Sequence, residues 1–229
     1  RTMGRSVLAR SDDDGRSFTR LYELSRNRFI NVSFVLTDEW LYIYGSGEYR
    51  RSSVCLARVR PADIGERSKL EYFVGGGDTP LSRWSLRETD ATPLFAHSEI
   101  GEFSVAYLAP VGRYVMLYNA GNPRGITLRS AVHPSGPWSD GTVIFDPGRD
   151  RGYGHFMHVS SKHTPAADAL SDPYREEEWG GEYGPYIMSR FTTEAAGHCR
   201  NYYTMSTWNP YQVMVMQSDL MLELPTRDP

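Results

Sequence analysis

Short runs of β-branched and aromatic residues recur along the chain, and Pro, Gly or Asn residues separate them. Such runs, bounded by turn residues, predict β-strands. In the middle of the chain three of them follow one another, at residues 103–108, 114–118 and 126–131. The same three-strand unit recurs on both sides, at 29–34, 41–44 and 53–59 and again at 186–191, 201–206 and 212–217. The pattern therefore predicts an all-β protein built from repeated units.

The third strands of these units are the most alike, and they begin at Ser6, Ser53, Ile126 and Gln212. Repeated all-β units with a period of roughly 40–80 residues are typical of a β-propeller, in which each unit forms one blade. We therefore predict a single propeller domain over residues 1–229. Residues 1–10 read as the third strand of a blade with no first or second strand before it, so we expect the chain to hold the later blades of a longer propeller, with an N-terminal part missing.

Composition narrows the classes of function. The formal net charge is -3, which argues against a surface for nucleic acid. No apolar run approaches the length of a membrane span, and no signal peptide is visible. Aromatic residues make up 13% of the chain; their faces suit stacking on sugars, but tyrosine and tryptophan also fill β-rich cores. Cys55 and Cys199 could form one disulfide or remain two free thiols.

Two acidic or polar segments read as structural. Ser11, Asp13, Gly15, Ser17 and Phe18 fit the Asp-box pattern, in which a carboxylate accepts backbone N–H bonds inside an outer turn of sialidase-like propellers. This interpretation is favoured over a metal site or catalytic cluster at residues 12–14. The polar and acidic stretch 164–179 is predicted to be an insertion over one rim.

Glu102 is the first candidate for catalysis, because it opens a predicted inner strand whose start faces the propeller axis. An isolated buried carboxylate is costly, so its presence there favours a functional role. The alternative is an ion pair with an arginine such as Arg190. Glu48 is the second candidate for catalysis, and Arg50 beside it is a candidate for binding substrate. Both lie in a Gly-rich connection, where the alternative is a solvated charged hairpin.

Further side chains are candidates for sugar binding. His155 and His158 form a His-x-x-His pattern, but on a strand residues three apart point to opposite faces, so we predict no zinc site and assign one of them to a sugar hydroxyl. The remaining candidates lie in two short windows with Gly-rich or tight turns: Glu182, Tyr183, Tyr186, Arg190, Trp208 and Asn209. Trp208 and its neighbour Tyr211 could stack on a sugar or merely pack the turn.

Seven ordered motifs carry a resemblance to a known family: YGSGEYRRS, GEFSV, RGITLRSA, PSGPWS, GYGHFMH, GGEYGPY and STWNPYQV. Together they resemble the domain-of-unknown-function family 4185, whose members are classed as glycoside hydrolase family 183. The resemblance implies a five-bladed, sialidase- or arabinanase-like propeller. It also implies an endo-D-arabinanase that cuts α-D-arabinofuranosyl linkages in arabinogalactan and lipoarabinomannan, with no cofactor.

The sequence departs from the family pattern at one place. Members usually carry an Asp-containing segment and a Phe-Gly-Asp-Thr motif before the position of Gly4, and these have no counterpart here; the Gly-Asp-Thr at 77–79 does not match that place. We therefore expect Glu102 to act with an Asp that lies upstream of this sequence, in a monomer that meets its polysaccharide outside the cytoplasm. A carbohydrate-binding propeller without catalysis and a protein-interaction scaffold are the competing interpretations.

Overall fold

The structure is a computed structural model that describes residues 4–76, 83–97, 99–163, 170, 172–195 and 198–221. The predicted all-β class is confirmed, because fifteen strands and five short 3-10 turns account for the regular structure in these ranges. The strands form four antiparallel sheets that do not close into a ring, so five blades remain a prediction. The Gly-Asp-Thr sequence at 77–79 lies outside the described residues.

The first two sheets use the N-terminal part of the chain. Strands β1 (Ser6–Arg10) and β2 (Thr19–Ser25) pair with each other in the first sheet. The second sheet has five strands in sequential order: β3 (Asn31–Leu36), β4 (Leu41–Ser46), β5 (Cys55–Val59), β6 (Glu71–Phe73) and β7 (Trp84–Ser85). The 3-10 turns Pro61–Asp63 and Arg67–Lys69 lie between β5 and β6, and the 3-10 turn Glu88–Asp90 follows β7.

The third sheet is a sequential meander of β8 (Ile100–Leu108), β9 (Arg113–Ala120), β10 (Gly125–Ala131) and β11 (Thr142–Phe145). The fourth contains β12 (Gly181–Ile187), β13 (Thr193–Ala195), β14 (His198–Trp208) and β15 (Gln212–Leu220). In it β14 is central, since β12 and β13 pair with its two halves while β15 pairs along its length. The remaining 3-10 turns are Ala109–Val111 and Ser189–Phe191.

The predicted three-strand units correspond to the second, third and fourth sheets, with one error. The run 186–191 was predicted to be an inner strand, whereas β12 ends at Ile187 and residues 189–191 form a 3-10 turn. The strand begins earlier, in a Gly-rich stretch that lacks the usual apolar alternation. Gly184 has a φ of 60°, and the pairing with β14 shifts between Tyr183 and Tyr186. A local irregularity of this kind hides a strand from pattern analysis.

Apolar side chains fill the spaces between neighbouring sheets. On β9, Met116 packs against the second sheet and the adjacent Leu117 packs against the fourth, and both are fully buried. A third cluster joins the other face of the second sheet to the first, with Ile43 and Leu24 in it. Because successive strand residues point to opposite faces, a strand with apolar residues at every position must lie between two packed layers.

The inner strands of successive sheets are also joined by hydrogen bonds. Ser33 Oγ accepts a hydrogen bond from the backbone N–H of Val105 at 2.9 Å. Ser104 Oγ accepts one from the N–H of Ile187 at 3.0 Å. A strand N–H that faces a neighbouring sheet rather than a ladder partner would otherwise be left unsatisfied. The serines therefore fix β3, β8 and β12 against one another.

The two cysteines lie in different cores. Cys55 is buried on β5 and Cys199 on β14, and both are free thiols. Burial raises the pKa of the Cys55 thiol to about 11, and burial also raises that of Cys199. Of the two alternatives that the sequence left open, the structure has the free thiols.

The Asp-box has the predicted structure. Asp13 Oδ1 accepts a hydrogen bond from the Ser17 N–H at 2.9 Å, and its Oδ2 accepts one from the Ser17 hydroxyl at 2.6 Å. Gly15 has a φ of 83°, which a residue with a side chain adopts only with strain. The hydrogen bonds from Ser17, and then that from Ser11, lower the pKa of Asp13 to about 2. The carboxylate is thus a structural part of the turn.

We expect Asp13→Asn to lower the melting temperature at neutral pH. Because the folded-state pKa of Asp13 lies below its ordinary value of 3.8, the contribution of the ionised carboxylate is complete above about pH 4. It is lost as the pH falls toward 2, so wild type and variant should converge there. Thermal unfolding followed by circular dichroism between pH 2 and 7 measures the difference. Asp14→Asn at the neighbouring exposed position is the control, and an Asp13→Asn difference that persists at pH 2 would contradict the assignment.

Candidate functional site

A β-bulge at the start of β8 sets the direction of Glu102. Ile100 pairs with Ala120 and Phe103 pairs with Tyr118, so Gly101 and Glu102 together oppose Asn119 alone. A Cβ on Gly101 would lie 2.7 Å from Asn119 Oδ1, so a side chain there would displace the buried Asn119 amide. Bulges bend a strand and turn a side chain away from the regular alternation. Here the bulge presents Glu102 at the end of the sheet.

Glu102 lies in a cavity of about 560 Å³ at the end of the sheets where β8 and β12 begin. The connection between β4 and β5, the first residues of β12 and the turn between β14 and β15 all contribute to its lining. The lining residues are Tyr49, Arg50, Glu102, Gly181, Glu182, Tyr183, Trp208 and Tyr211. Polar groups are thus concentrated between aromatic walls, as in many small-molecule and sugar sites.

Tyr49 and Arg50 connect the loop to the carboxylate. The Tyr49 hydroxyl donates a hydrogen bond to Glu102 Oε2 at 3.2 Å. Burial, and secondly the nearby Glu102 charge, raise the pKa of Tyr49, so the phenol remains a donor at neutral pH. Arg50 has a φ of 53°, and its backbone N–H donates to the Ile100 carbonyl at 3.2 Å. The loop is therefore attached to the strand that carries Glu102.

Glu182 is the second carboxylate of the cavity, and its environment is different. Its side chain is 5% exposed. Its Oε1 accepts a hydrogen bond from the Gly125 N–H at 3.0 Å, and both of its oxygens lie 3.3 Å from Arg124 Nε. A buried carboxylate is tolerated when it is paired and hydrogen-bonded in this way. Glu182 therefore joins the β9–β10 turn to β12.

The aromatic wall consists of Trp208 and Tyr211, with Tyr183 beside them. The rings of Trp208 and Tyr211 meet edge to face at 4.9 Å between centroids. Trp208 is 43% exposed and Tyr211 is 59% exposed. Burial raises the pKa of Tyr183, and the charges of Tyr211 and Glu102 add to the effect. Large aromatic side chains that remain open at a cavity are suited to contact with a ligand.

Asn209 lies directly behind this wall and is fully buried. Its Oδ1 accepts a hydrogen bond from the Asp172 N–H at 2.8 Å. Its Nδ2 donates to the Arg175 carbonyl at 2.7 Å and to the Glu178 carbonyl at 2.8 Å. The predicted role of Asn209 in sugar binding is therefore corrected, because its amide is committed to backbone groups of residues 172–178.

The other predicted site residues are divided. The structure brings together Arg50, Glu102, Glu182, Tyr183 and Trp208 in one cavity. Glu48 does not join them; it pairs with Arg51 at 3.4 Å and lines a separate depression of about 320 Å³. Glu48, the second catalytic candidate, thus faces a different cavity from Glu102.

Two histidines and two residues near the end of β12 also lie elsewhere. His158 is fully buried, with its Nε2 2.9 Å from the Glu176 carbonyl oxygen, so a contact with sugar is not consistent with its position. His155 is exposed in a turn. Tyr186 lines another cavity, of about 540 Å³, farther along the inner strands, and exposed Arg190 covers the Phe191 ring. Their predicted place beside Glu102 is not what the structure shows.

Tyr49 was missed as a site residue, and Tyr211 was noted only as a possible stacking partner. The signal for Tyr49 was its position between the two candidates Glu48 and Arg50. Adjacent residues of a turn point in different directions, so sequence does not say which of the three faces the cavity. Among the described residues, no group of three or more His, Cys, Asp or Glu side chains is arranged to hold a metal ion.

Comparison with known families assigns the chain to one of them. The sequence matches the domain of unknown function DUF4185 over residues 4–217, which is most of its length. The chain belongs to the DUF4185 family. No curated protein matches it significantly.

Several solved structures are similar to this DUF4185 chain at low sequence identity. A Bacteroides ovatus protein described as a hydrolase has a TM-score of 0.48 and 15% identity, over 86% of this chain and 45% of that one. The catalytic domain of the Coprinopsis cinerea GH62 alpha-L-arabinofuranosidase has a TM-score of 0.40 and 12% identity, over 95% and 58%. The exo-beta-1,3-galactanase of Phanerochaete chrysosporium has a TM-score of 0.37 and 12% identity, over 94% of this chain and 53% of that one. The DUF4185 chain spans about half the length of the solved structures it matches.

In the part of the DUF4185 chain that the structure describes, no helix is long and apolar enough to cross a bilayer.

We expect Asn209→Asp to destabilise the DUF4185 fold. The carboxylate keeps the size of the amide and accepts the Asp172 N–H, but it cannot donate to the carbonyls of Arg175 and Glu178. Unsatisfied buried acceptors cost about 1–3 kcal/mol each, so the free energy of unfolding in urea should fall by about 2 kcal/mol or more. Gln217→Glu makes the same chemical change on an exposed strand and should have little effect. A urea midpoint of Asn209→Asp equal to that of wild type would contradict the role assigned to these hydrogen bonds.

Proposed function

We propose that this chain forms the substrate-binding and part of the catalytic surface of a glycoside hydrolase that cleaves α-D-arabinofuranosyl linkages in arabinan. The observation that carries the proposal is the Glu102 carboxylate, half-buried between the aromatic side chains of one cavity and hydrogen-bonded to Tyr49. Aromatic faces match the C–H faces of sugar rings, and carboxylate and guanidinium groups match their hydroxyls. The family resemblance supplies the substrate, the α-D-arabinofuranosyl backbone of arabinogalactan and lipoarabinomannan, and the endo mode of cleavage.

The chemistry assigned to Glu102 follows from glycoside hydrolysis. Cleavage of a glycosidic bond uses two carboxyl groups on either side of the bond, one as acid and one as base or nucleophile. Glu102 supplies one of them, and the Tyr49 hydroxyl orients it. The partner is the aspartate that the resemblance places upstream of this sequence. Arg50 and Tyr183 bind hydroxyl groups beside the reacting sugar, and no cofactor takes part.

The setting follows from the substrate. An arabinan of the cell envelope is met outside the cytoplasm, so we place the protein there. We also propose that it acts as a monomer.

A second function is favoured by the state of Glu182. Its oxygens are already engaged by Arg124 and Gly125, so among the described residues of the cavity Glu102 is the carboxylate that remains half-buried. A site with a single accessible carboxylate binds sugar without cleaving it unless a partner is added. A carbohydrate-binding propeller is therefore the alternative for this chain taken alone.

The experiment measures new reducing ends released from purified D-arabinan by this chain and by a chain with additional upstream residues. In the active protein Glu102→Gln keeps the shape of the side chain but removes its acid–base function, and turnover should fall by about 10²- to 10⁴-fold. Binding of arabinan by the variant, measured by calorimetry, should be largely retained.

Glu48→Gln is the comparison, because that carboxylate faces a different depression and its loss should leave turnover nearly unchanged. Near-normal turnover of Glu102→Gln would overturn the catalytic assignment. Binding of arabinan without cleavage by either chain would instead support the binding propeller.

A further inference from the structure

One face of the Trp208 indole is occupied within the protein. The Arg175 guanidinium lies over the ring, with its central carbon 4.3 Å from the ring centroid. The same guanidinium is 5.7 Å from the Tyr211 ring centroid. A cation over an aromatic face is attracted by the ring's electron density. Trp208 nevertheless remains 43% exposed and lines the cavity, so part of its surface is open.

The edge of the indole is fixed as well. Trp208 Nε1 donates a hydrogen bond to Glu178 Oε2 at 2.9 Å. Arg175 pairs with the same Glu178 oxygen at 2.8 Å and with Asp172 Oδ2 at 3.4 Å. The hydrogen bonds from Arg175, and secondly from Trp208, lower the pKa of Glu178, so this network is charged at neutral pH. A ring held at one face and at its edge has little rotational freedom left to lose when a ligand binds.

The backbone that carries Arg175 and Glu178 is itself attached to the aromatic turn. Asn209, which follows Trp208 directly, binds the carbonyls of both residues. The irregular segment 172–178 has no strand or helix of its own, so these contacts hold it against the turn. The described part 172–178 of the segment predicted as an insertion is therefore tied to a wall of the cavity.

We infer that the segment 172–178 positions an aromatic subsite, in which Trp208 and Tyr211 accept the apolar face of one neutral sugar residue while Arg175 and Glu178 hold the indole in place. Arg175 and Glu178 are positioning residues, since neither lines the cavity. The inference rests on the proposed function for its ligand, an arabinofuranose unit next to the one at Glu102. Two large aromatic rings left open beside a carboxylate are better explained by such contact than by packing of a turn.

The test is the affinity for α-D-arabinan oligosaccharides, measured by calorimetry on the full chain. Trp208→Ala should weaken binding by about 30-fold or more, as expected for an aromatic anchor. Arg175→Gln should weaken it by about 3- to 30-fold, because the cation over the ring is lost. Arg175→Lys keeps a cation there and should restore a substantial part of the affinity, which a merely structural role would not require.

Arg60→Ala is the matched control, because it removes a guanidinium 3.9 Å from the Trp40 ring, away from the cavity. In an active protein the Arg175 variants should raise KM with kcat nearly unchanged, because the substrate and the transition state would lose the same binding energy. Urea unfolding of each variant separates loss of affinity from loss of fold.

The outcomes distinguish the two proposals. If the wild type binds D-arabinan and the Arg175 variants bind it with equal affinity, the positioning role is overturned and the proposed function stands. If the wild type binds only xylan or galactan oligosaccharides and the variants lose affinity for them to the same extent, the arabinan assignment is overturned and the subsite is supported. Wild type that binds no member of this panel would overturn both.

Discussion

The second and third sheets carry apolar side chains on both faces, and a sheet of this kind leaves water only by packing between two other layers. Met116 and Leu117, adjacent on β9, are each fully buried in a different core. This constraint stacks the sheets face to face in succession and brings their inner strands side by side. Ser33 and Ser104 then satisfy the backbone N–H groups that this approach would leave unpaired. The cavity exists because β8 and β12, placed in this way, begin at the same end.

The site itself is built from departures from regular structure on that frame. The bulge at Gly101 turns Glu102 outward, and the connection after β4 brings Tyr49 to it. The turn after β14 presents Trp208 and buries Asn209. The regular strands supply rigidity, while bulges and turns direct the functional side chains. This division explains why the side chains that line the cavity come from a bulge, a strand start and two turns.

Glu102 and Glu182 show how the same functional group takes two roles within one cavity. Both lie near the beginning of an inner strand, at its third and second residue respectively. Glu182 is enclosed and bound by Arg124 and the Gly125 N–H, whereas Glu102 is half-buried and accepts one hydrogen bond from a phenol. A carboxylate whose acceptor sites are filled by the protein serves structure, and one with an open side can meet a ligand. We therefore propose a catalytic role for Glu102 and a structural role for Glu182.

The sequence by itself determined whatever depends on neighbours along the chain. The all-β class, the three-strand units around β8, and the Asp-box turn all follow from local alternation and from the hydrogen bonds of Asp13 to residues within four positions. It also indicated Glu102 at the start of a strand, Tyr183 in a Gly-rich window and Trp208 in a tight turn. Only the tertiary structure decided which carboxylates share a cavity and which polar groups are already engaged. Glu182 is bound by residues 57 and 58 positions away, and Asn209 by carbonyls 31 and 34 positions away. Such partners are chosen by the packing of sheets, which no local pattern encodes.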